Sequence, residues 1–368
     1  MVLNMKITIQ STLLSSYLLC VLSACDFSNT TTKQQYRTSQ ESPVQQIVLA
    51  PPLDSRHAEI SGMAWCDNDL LLLPQFPDFA QRINRLDKKN SSGLETFVYR
   101  IKKQQLDDYF NSLITTIAAE PITLIENKVR SNVEQFDGFE AIACSDDQIW
   151  LTIENSPRPP IFHSYVVRAT AELDSSSPSI TLLTSSLKKI ESQSNTTNIG
   201  EEALLIDNER IITFHEINQY KEAHANLNWL NLDNNDAGTL PFVDLPYRLT
   251  DVTNLDKNGI FWGINYHYKN DHHLENSKTD SIFEEHGKGI THQSNKNIER
   301  LIEFKLTKSG VILTDTPPIQ LQLTKQGRNW EGIARYDGRG LLIITDKFPN
   351  TVFGFVPFSD QPSITSNN

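Results

Sequence analysis

The sequence EAIACSDDQIWLTIE, residues 140–154, contains the unit that decides the fold. A polar residue opens a short apolar run, a polar turn follows, and a second apolar run ends in another polar residue. This order occurs five times, with the end residue fourteen positions after the opener in four repeats and fifteen after it in the last. Repetition in register indicates a repeat architecture. The openers are Ser61, Glu140, Glu202, Asp251 and Glu331, and the end residues are Gln75, Glu154, Glu216, Asn265 and Asp346.

Each repeat contains short strand-like runs, of which the second is the most apolar. In the second repeat the runs are 141–144, 148–154, 164–169 and 179–184, and in the third repeat the fourth run is 242–245. Apolar runs bounded by turns are typical of strands buried on both faces. Four strands per unit, repeated around a ring, describe a β-propeller. The sequence therefore predicts an all-β protein.

The fifth repeat has only three runs, so we predict that the N-terminal run Gln45–Ala50 supplies its fourth strand and closes the ring. A single propeller domain then covers residues 45–358, with five blades. Six blades are the alternative if residues 97–129 contain a degenerate unit. The apolar spacing of 104–116 instead indicates a helix inserted into that region.

The first 25 residues have the pattern of a secretory signal: Lys6 is their one charge, an apolar run covers 13–22, and small residues precede Cys25. They resemble a bacterial lipoprotein signal, which would make Cys25 a lipidated first residue. An ordinary signal peptide is the alternative; the apolar run is shorter than the ~20 residues of a spanning helix. This predicts a cell-envelope protein, lipid-anchored through Cys25, with its propeller in the periplasm or outside the plasma membrane.

Two further segments lack the apolar residues of a core. Residues 26–44 are rich in Ser, Thr and Gln, which predicts a flexible tether, and 359–368 are predicted to be a disordered tail. The formal charge of −12 becomes −13 once the signal and its one lysine are removed. That charge disfavours nucleic acid and anionic lipid headgroups as partners and favours cations.

Two cysteines remain after the signal and the lipidation site are set aside. Cys66 and Cys144 end the opening runs of neighbouring repeats. In an oxidising compartment they can form a disulfide. The alternative is a pair of small buried apolar side chains.

The openers carry the predicted chemistry, because the first strand of each propeller blade lines the central channel. Four of them are acidic, and three end residues form a second acidic tier at the same face. Crowded carboxylates need a cation or raised pKa values, and such oxygen-rich clusters suit calcium. The alternative is that these acids accept backbone N–H bonds and hold the blades together. The predicted metal ligands are Glu140, Glu154, Glu202, Glu216, Asp251, Glu331 and Asp346, of which Glu140, Glu202, Asp251 and Glu331 are also the predicted catalytic residues.

Several motifs at these positions resemble the phytase-like propeller family, described as having esterase-like activity. They are Asp137-Gly138-Phe139-Glu140-Ala141-Ile142-Ala143, Asn329-Trp330-Glu331-Gly332-Ile333-Ala334 and Ile343-Ile344-Thr345-Asp346-Lys347. The resemblance implies a secreted or envelope propeller with metal-dependent ester or phosphoester hydrolase activity. Ser61 departs from the acidic pattern, and the chain has no Gly-x-Ser-x-Gly elbow, which argues against an α/β-hydrolase triad.

An anionic substrate needs cationic partners. We predict His215, Arg328 and Lys347 for that role, and Trp330 as a wall of the substrate pocket. The leading hypothesis is a lipid-anchored, calcium-dependent hydrolase of a small ester or phosphoester. The alternative is a non-catalytic propeller that presents its long insertions to another envelope protein or a glycan.

Overall fold

The computed structural model describes residues 37–83, 95–145, 148–155, 163–191, 193, 199–208, 210–220, 223–224, 226–231, 234, 236–271 and 280–358. The predicted signal with Cys25, residues 26–36 of the predicted tether and the tail 359–368 lie outside this range. None of the helices among the described residues has the length and apolar character needed to cross a membrane.

The described chain consists mainly of short strands that pair into sheets. Three precede the first repeat: β1 (Thr38–Ser39), β2 (Glu41–Ser42) and β3 (Gln45–Ile47). Sheet I contains β4 (Ile60–Cys66), β5 (Asp69–Pro74), β6 (Phe97–Lys102) and β7 (Glu120–Ile125). Sheet II contains β8 (Phe136–Ser145), β9 (Gln148–Asn155), β10 (His163–Glu172), β11 (Ser179–Leu182) and β12 (Lys188–Glu191), and its β11 pairs parallel with β7, which joins the outer edges of sheets I and II.

The remaining sheets follow the same order from the inner strand outward. Sheet III contains β13 (Glu201–Asp207) and β14 (Arg210–His215), then, after the small hairpin β15 (Gln219–Tyr220) and β16 (Ala223–His224), β17 (Leu227–Asn231) and β18 (Ala237–Leu240). Sheet IV contains β19 (Arg248–Val252) and β20 (Ile260–His267), then, after β21 (Lys288–Gly289), β22 (Ile298–Thr307), β23 (Gly310–Leu313) and β24 (Ile319–Leu321). Sheet V contains β25 (Trp330–Tyr336), β26 (Gly340–Thr345), β27 (Phe353–Pro357) and β3.

The inner strands form a closed ring: β4 contacts β8, followed in turn by β13, β19 and β25, which contacts β4 again. The N-terminal strand closes the ring, since β3 pairs antiparallel with β27 and sets Ile47 opposite Phe353. The prediction of an all-β propeller closed by an N-terminal strand is confirmed.

The continuous apolar runs are explained by burial on both faces of each sheet. Leu70 and Leu72 pack toward sheet V, beside Leu342 and Phe353, whereas Leu71 and Leu73 pack toward sheet II. All four leucines of β5 are fully buried. Because successive side chains of a strand point to opposite faces, a strand sandwiched between two sheets is apolar at every position.

Few helices interrupt the strands. They are α1 (Phe79–Ile83), α2 (Lys103–Phe110), α3 (Val129–Asn132), α4 (Ser281–His286) and α5 (Ile290–Ser294), with a 3₁₀ turn at Thr184–Ser186. The helix predicted within 104–116 is α2, which lies between the outer strands β6 and β7 of sheet I. Its Leu106 is buried, and its Phe110 packs against Tyr336 and Phe355 of sheet V.

Two predicted boundaries are wrong. The outer strand of sheet III is β18, not residues 242–245. The apolar side chains of Phe242 and Leu245, which suggested a strand, instead pack into the core between sheets III and IV. The predicted tether is also too long, since β1 pairs with β21 and β2 with β24. The Glu41 carboxylate holds this segment by accepting from Thr291 Oγ1 (2.8 Å) and His292 Nδ1 (2.8 Å).

The structure contains the disulfide that the sequence left open. Cys66 ends β4 of sheet I, Cys144 lies near the end of β8 of sheet II, and their Cα atoms are 5.3 Å apart. The bond therefore joins two neighbouring inner strands at the end of the ring opposite to the openers.

Candidate functional site

Every opener lies in a β-bulge of its inner strand. The pairing register with the second strand shifts between Ile60 and Gly62, Phe139 and Ala141, Glu201 and Ala203, Leu249 and Val252, and Trp330 and Gly332. A bulge leaves a residue without a cross-strand partner and re-aims its side chain. The residues left in this way are Ser61, Glu140, Glu202, Glu331 and the pair Thr250–Asp251.

A cavity of about 750 Å³ opens at the same end of the ring. Its lining includes six of the seven predicted metal ligands: Glu140, Glu154, Glu202, Glu216, Glu331 and Asp346. Five of the six are at most 8% exposed, and Glu331 is partly exposed. The structure thus brings together acids that are up to about 200 residues apart in the chain.

Amide side chains donate hydrogen bonds to some of these carboxylates, whereas other carboxylate oxygens have no partner. Gln75 Nε2 donates to Glu140 Oε1 (3.0 Å), and Asn329 Nδ2 donates to Glu331 Oε1 and, at 3.4 Å, to Asp346 Oδ2. The buried oxygens Glu216 Oε2 and Asp346 Oδ1 have no hydrogen-bond partner. A buried carboxylate oxygen without a partner is costly, so both atoms indicate a cation or donor that completes the site.

The crowding shifts the acid pKa values upward. Burial, reinforced by the neighbouring Glu154 carboxylate, raises the pKa of Glu140 well above its usual range. Burial and the Glu216 charge raise the pKa of Glu154 to about 8. Burial likewise raises the pKa values of Glu202, Glu331 and Asp346. Without a cation, the site therefore retains protons that isolated carboxylic acids would lose at neutral pH.

The predicted calcium ion can be tested against this donor set. The donors are carboxylate and amide oxygens, which calcium prefers. Across the described part of the chain, no three Asp, Glu, His or Cys side chains converge as a ready-made metal cage. The donor type thus suits calcium while a complete protein cage is lacking, and Glu216 Oε2 and Asp346 Oδ1 are the buried carboxylate oxygens of the cavity lining that have no partner.

Basic side chains also line the cavity. The predicted Lys347 is one of them, and Arg248 is another. Arg248 pairs with Glu216 and with Asp271 (3.4 Å), and Lys347 pairs with Glu59 (3.3 Å). Three further cations were missed because their spacing does not follow the repeat; they are Arg56, Lys269 and Lys325. Lysines 269 and 325 lie in loops that only the closed ring brings to the cavity.

Asp251 does not line the cavity, although its repeat position matches that of Glu202. Its Oδ2 accepts the backbone N–H of Ile333 at 2.8 Å, and its side chain is 1% exposed. Asp251 therefore ties the inner strand of sheet IV to that of sheet V. This contact supports the blade-holding alternative for Asp251, whose other oxygen, Oδ1, is buried without a partner. Its predicted role as a catalytic metal ligand stays a prediction, and the residue lies outside the cavity lining.

Three predicted substrate-binding residues also lie away from the cavity lining. Arg328 pairs with Glu299 at 2.8 Å, and the fully buried Trp330 donates its Nε1–H to the same carboxylate at 2.8 Å. His215 is buried, with Nδ1 at 2.9 Å from Ile217 O. These side chains stabilise the sheets, so only Lys347 of the predicted substrate-binding residues lies at the cavity.

Comparison with known proteins finds likeness only at the level of solved structures. The chain resembles a soluble aldose sugar dehydrogenase from Escherichia coli (10% identity, 84% of this chain and 98% of that chain, TM-score 0.43). It resembles a glucose dehydrogenase (10% identity, 86% of this chain and 99% of that chain, TM-score 0.42). It also resembles a GH43 endo-arabinanase from Bacillus licheniformis (11% identity, 84% of this chain and 94% of that chain, TM-score 0.42). Neither the protein families nor the curated proteins searched contain a match to this sequence. The fold assignment rests on the sheet pairings themselves.

Proposed function

We propose that the acidic cavity binds a divalent cation, calcium by its oxygen donors, and that the protein uses it to hydrolyse a small ester or phosphoester. The observation that carries this proposal is the group of six carboxylates around one cavity, with Glu216 Oε2 and Asp346 Oδ1 buried and unpaired. The phytase-like resemblance, the lipid anchor at Cys25 and the envelope location belong to the same proposal.

The side chains divide into two roles. Glu216 and Asp346, whose Oε2 and Oδ1 atoms are buried and unpaired, would hold the ion together with water molecules, and the ion when bound would supply a Lewis acid and a water of lowered pKa. Glu154, with a pKa of about 8, holds a proton at neutral pH and can donate it to a leaving oxygen. The wall thus offers both an ion site and a proton donor.

The cations at the mouth favour an anionic substrate. Lys269, Lys325 and Arg56 are exposed cavity-lining residues, and Lys347 lies beside Asp346. An anion that approaches the acidic floor alone would be repelled. With cationic side chains at the mouth of the cavity and a bound metal ion at its acidic floor, one substrate molecule can place one anionic group near the side chains and another near the metal ion.

A second candidate is the non-catalytic propeller that binds another envelope protein or a glycan. Phe348 favours it, because this cavity-lining side chain is 51% exposed and lies 5.2 Å below the Arg56 guanidinium. An exposed aromatic ring beside a cation provides a surface for a sugar ring or a partner side chain.

The test has two arms. Calorimetry with calcium and a thermal shift with and without chelator measure ion binding; hydrolysis of an aryl ester and an aryl phosphoester measures activity. We expect Glu331→Gln to lose both, and Glu303→Gln, whose carboxylate instead accepts from Thr314 and Thr316 outside the cavity, to keep both. Ion binding without hydrolysis moves the assignment to the second candidate, and no ion binding in the wild type rejects the proposed site.

A further inference from the structure

A second, much smaller chamber lies between sheets II and III, with Glu154 in the lining of both cavities. Its volume is about 10 Å³. Asn155, Glu201 and His215 also line it, and each is at most 3% exposed. A volume of ~10–15 Å³ is the space that one water molecule needs.

The chamber contains an unsatisfied set of polar atoms. Glu201 Oε1 accepts from Asn228 Nδ2 at 3.1 Å. The Thr213 and Gln193 side chains lie near the same carboxylate, but neither meets Oε2 with hydrogen-bond geometry. His215 Nδ1 lies 2.9 Å from Ile217 O and 3.4 Å from Ile217 N; the shorter contact favours the tautomer with the proton on Nδ1, which leaves a lone pair on Nε2. His215 Nε2 and the donor Asn155 Nδ2 also have no partner.

We propose that one water molecule occupies this chamber. It donates to Glu201 Oε2 and His215 Nε2 and accepts from Asn155 Nδ2. These two acceptors and one donor match the hydrogen-bonding capacity of a single water, and buried waters typically make about three hydrogen bonds. No ionised partner is required.

The bound water would position two acids of the neighbouring cavity. The importance of these two acids rests on the proposed function. Glu201 and His215 face each other across β13 and β14, and the residue that follows each of them in the chain is a cavity acid, Glu202 and Glu216. The backbone continues this pairing, because Glu216 N donates to Gly200 O at 2.8 Å. Fixing the Glu201–His215 pair therefore fixes the backbone that carries Glu202 and Glu216.

A high-resolution crystal structure of the metal-free protein tests the water directly. The expected result is a single solvent peak within hydrogen-bond distance of Glu201 Oε2, His215 Nε2 and Asn155 Nδ2. An empty chamber, or a metal ion in place of the water, overturns the assignment. This measurement does not depend on calcium binding or on activity.

The positioning role is tested with His215→Leu, which removes one acceptor. If that variant does not fold, the test uses Asn155→Asp, which replaces the donor. We expect the Glu202 and Glu216 side chains to move in the crystal structure, and calcium affinity to fall about tenfold. His215→Gln, which keeps a polar group, should restore most of the affinity. Thr152→Val, which removes a buried hydroxyl outside the chamber, is the control. Unmoved acids in a folded His215→Leu protein overturn the positioning role. If the wild-type protein binds no calcium, the proposed function is rejected. The crystal structures alone then decide whether the water positions the two acids.

Discussion

The stability of the metal-free protein should decrease as the pH rises from 5 to 8. The pKa of Glu154 is about 8 in the folded protein and 4.5 when unperturbed. Between these values the folded protein retains a proton that the unfolded chain has released. The contribution is complete below pH 4.5 and is lost as the pH rises through 8. It amounts to roughly 3 to 4 kcal/mol between pH 5 and pH 8.

The assay is chemical denaturation in chelator at several pH values, for the wild type and for Glu154→Gln. The difference between the two proteins reports the titration of Glu154 together with its effect on Glu140 and Glu202, whose pKa values the Glu154 charge raises; the remaining groups titrate in both proteins. We expect the wild type to lose roughly 3 to 4 kcal/mol relative to the variant over this range. Glu303→Gln, outside the cavity, should keep the wild-type slope. Parallel pH profiles for the wild type and Glu154→Gln would refute the reasoning, since they would mean that no proton is retained at Glu154.

Three further outcomes follow from individual contacts. Replacing Cys66 and Cys144 by serine should lower the free energy of unfolding by about 2–4 kcal/mol in non-reducing denaturation; an unchanged value would contradict the disulfide. Asp251→Ala should cost about 1–3 kcal/mol by leaving the Ile333 N–H unpaired, with calcium affinity unchanged in calorimetry; a lost affinity with intact stability would support its predicted ligand role. Glu41→Ala should raise hydrogen exchange in residues 38–42 at neutral pH, and equal protection in both proteins would show that this carboxylate does not hold the segment.

The fold was predictable because its signals are local and repeated. Each continuous apolar run, such as Leu70–Leu73, indicates that its strand is covered on both faces, and five copies of the pattern at nearly the same spacing predict a ring. The missing fourth strand of the last repeat was also predictable, because an incomplete sheet needs a partner. The short N-terminal strands at 38–42 were not, since their polar residues pair through the backbone and through Glu41.

The site was predictable only in part. Glu202 and Asp251 hold equivalent places in their repeats, yet only Glu202 lines the cavity. Both bulges contain one extra residue, but Thr250 and Asp251 together oppose Ile264, whereas Glu202 is a single residue without a partner. In its bulge Asp251 turns toward the Ile333 N–H. The way a bulge aims its residues depends on strand pairing, and no residue pattern in the sequence reports it.

The sequence by itself determined the class of fold, the strand that closes it and the presence of an acid in most inner strands, because these features follow from the order of polar and apolar residues within each repeat. Only the tertiary structure decided which acids share the cavity, that Arg328 and Trp330 are occupied by Glu299, and that Lys269 and Lys325 join the mouth. Those outcomes depend on distances between repeats, and these distances exist only once the ring has closed.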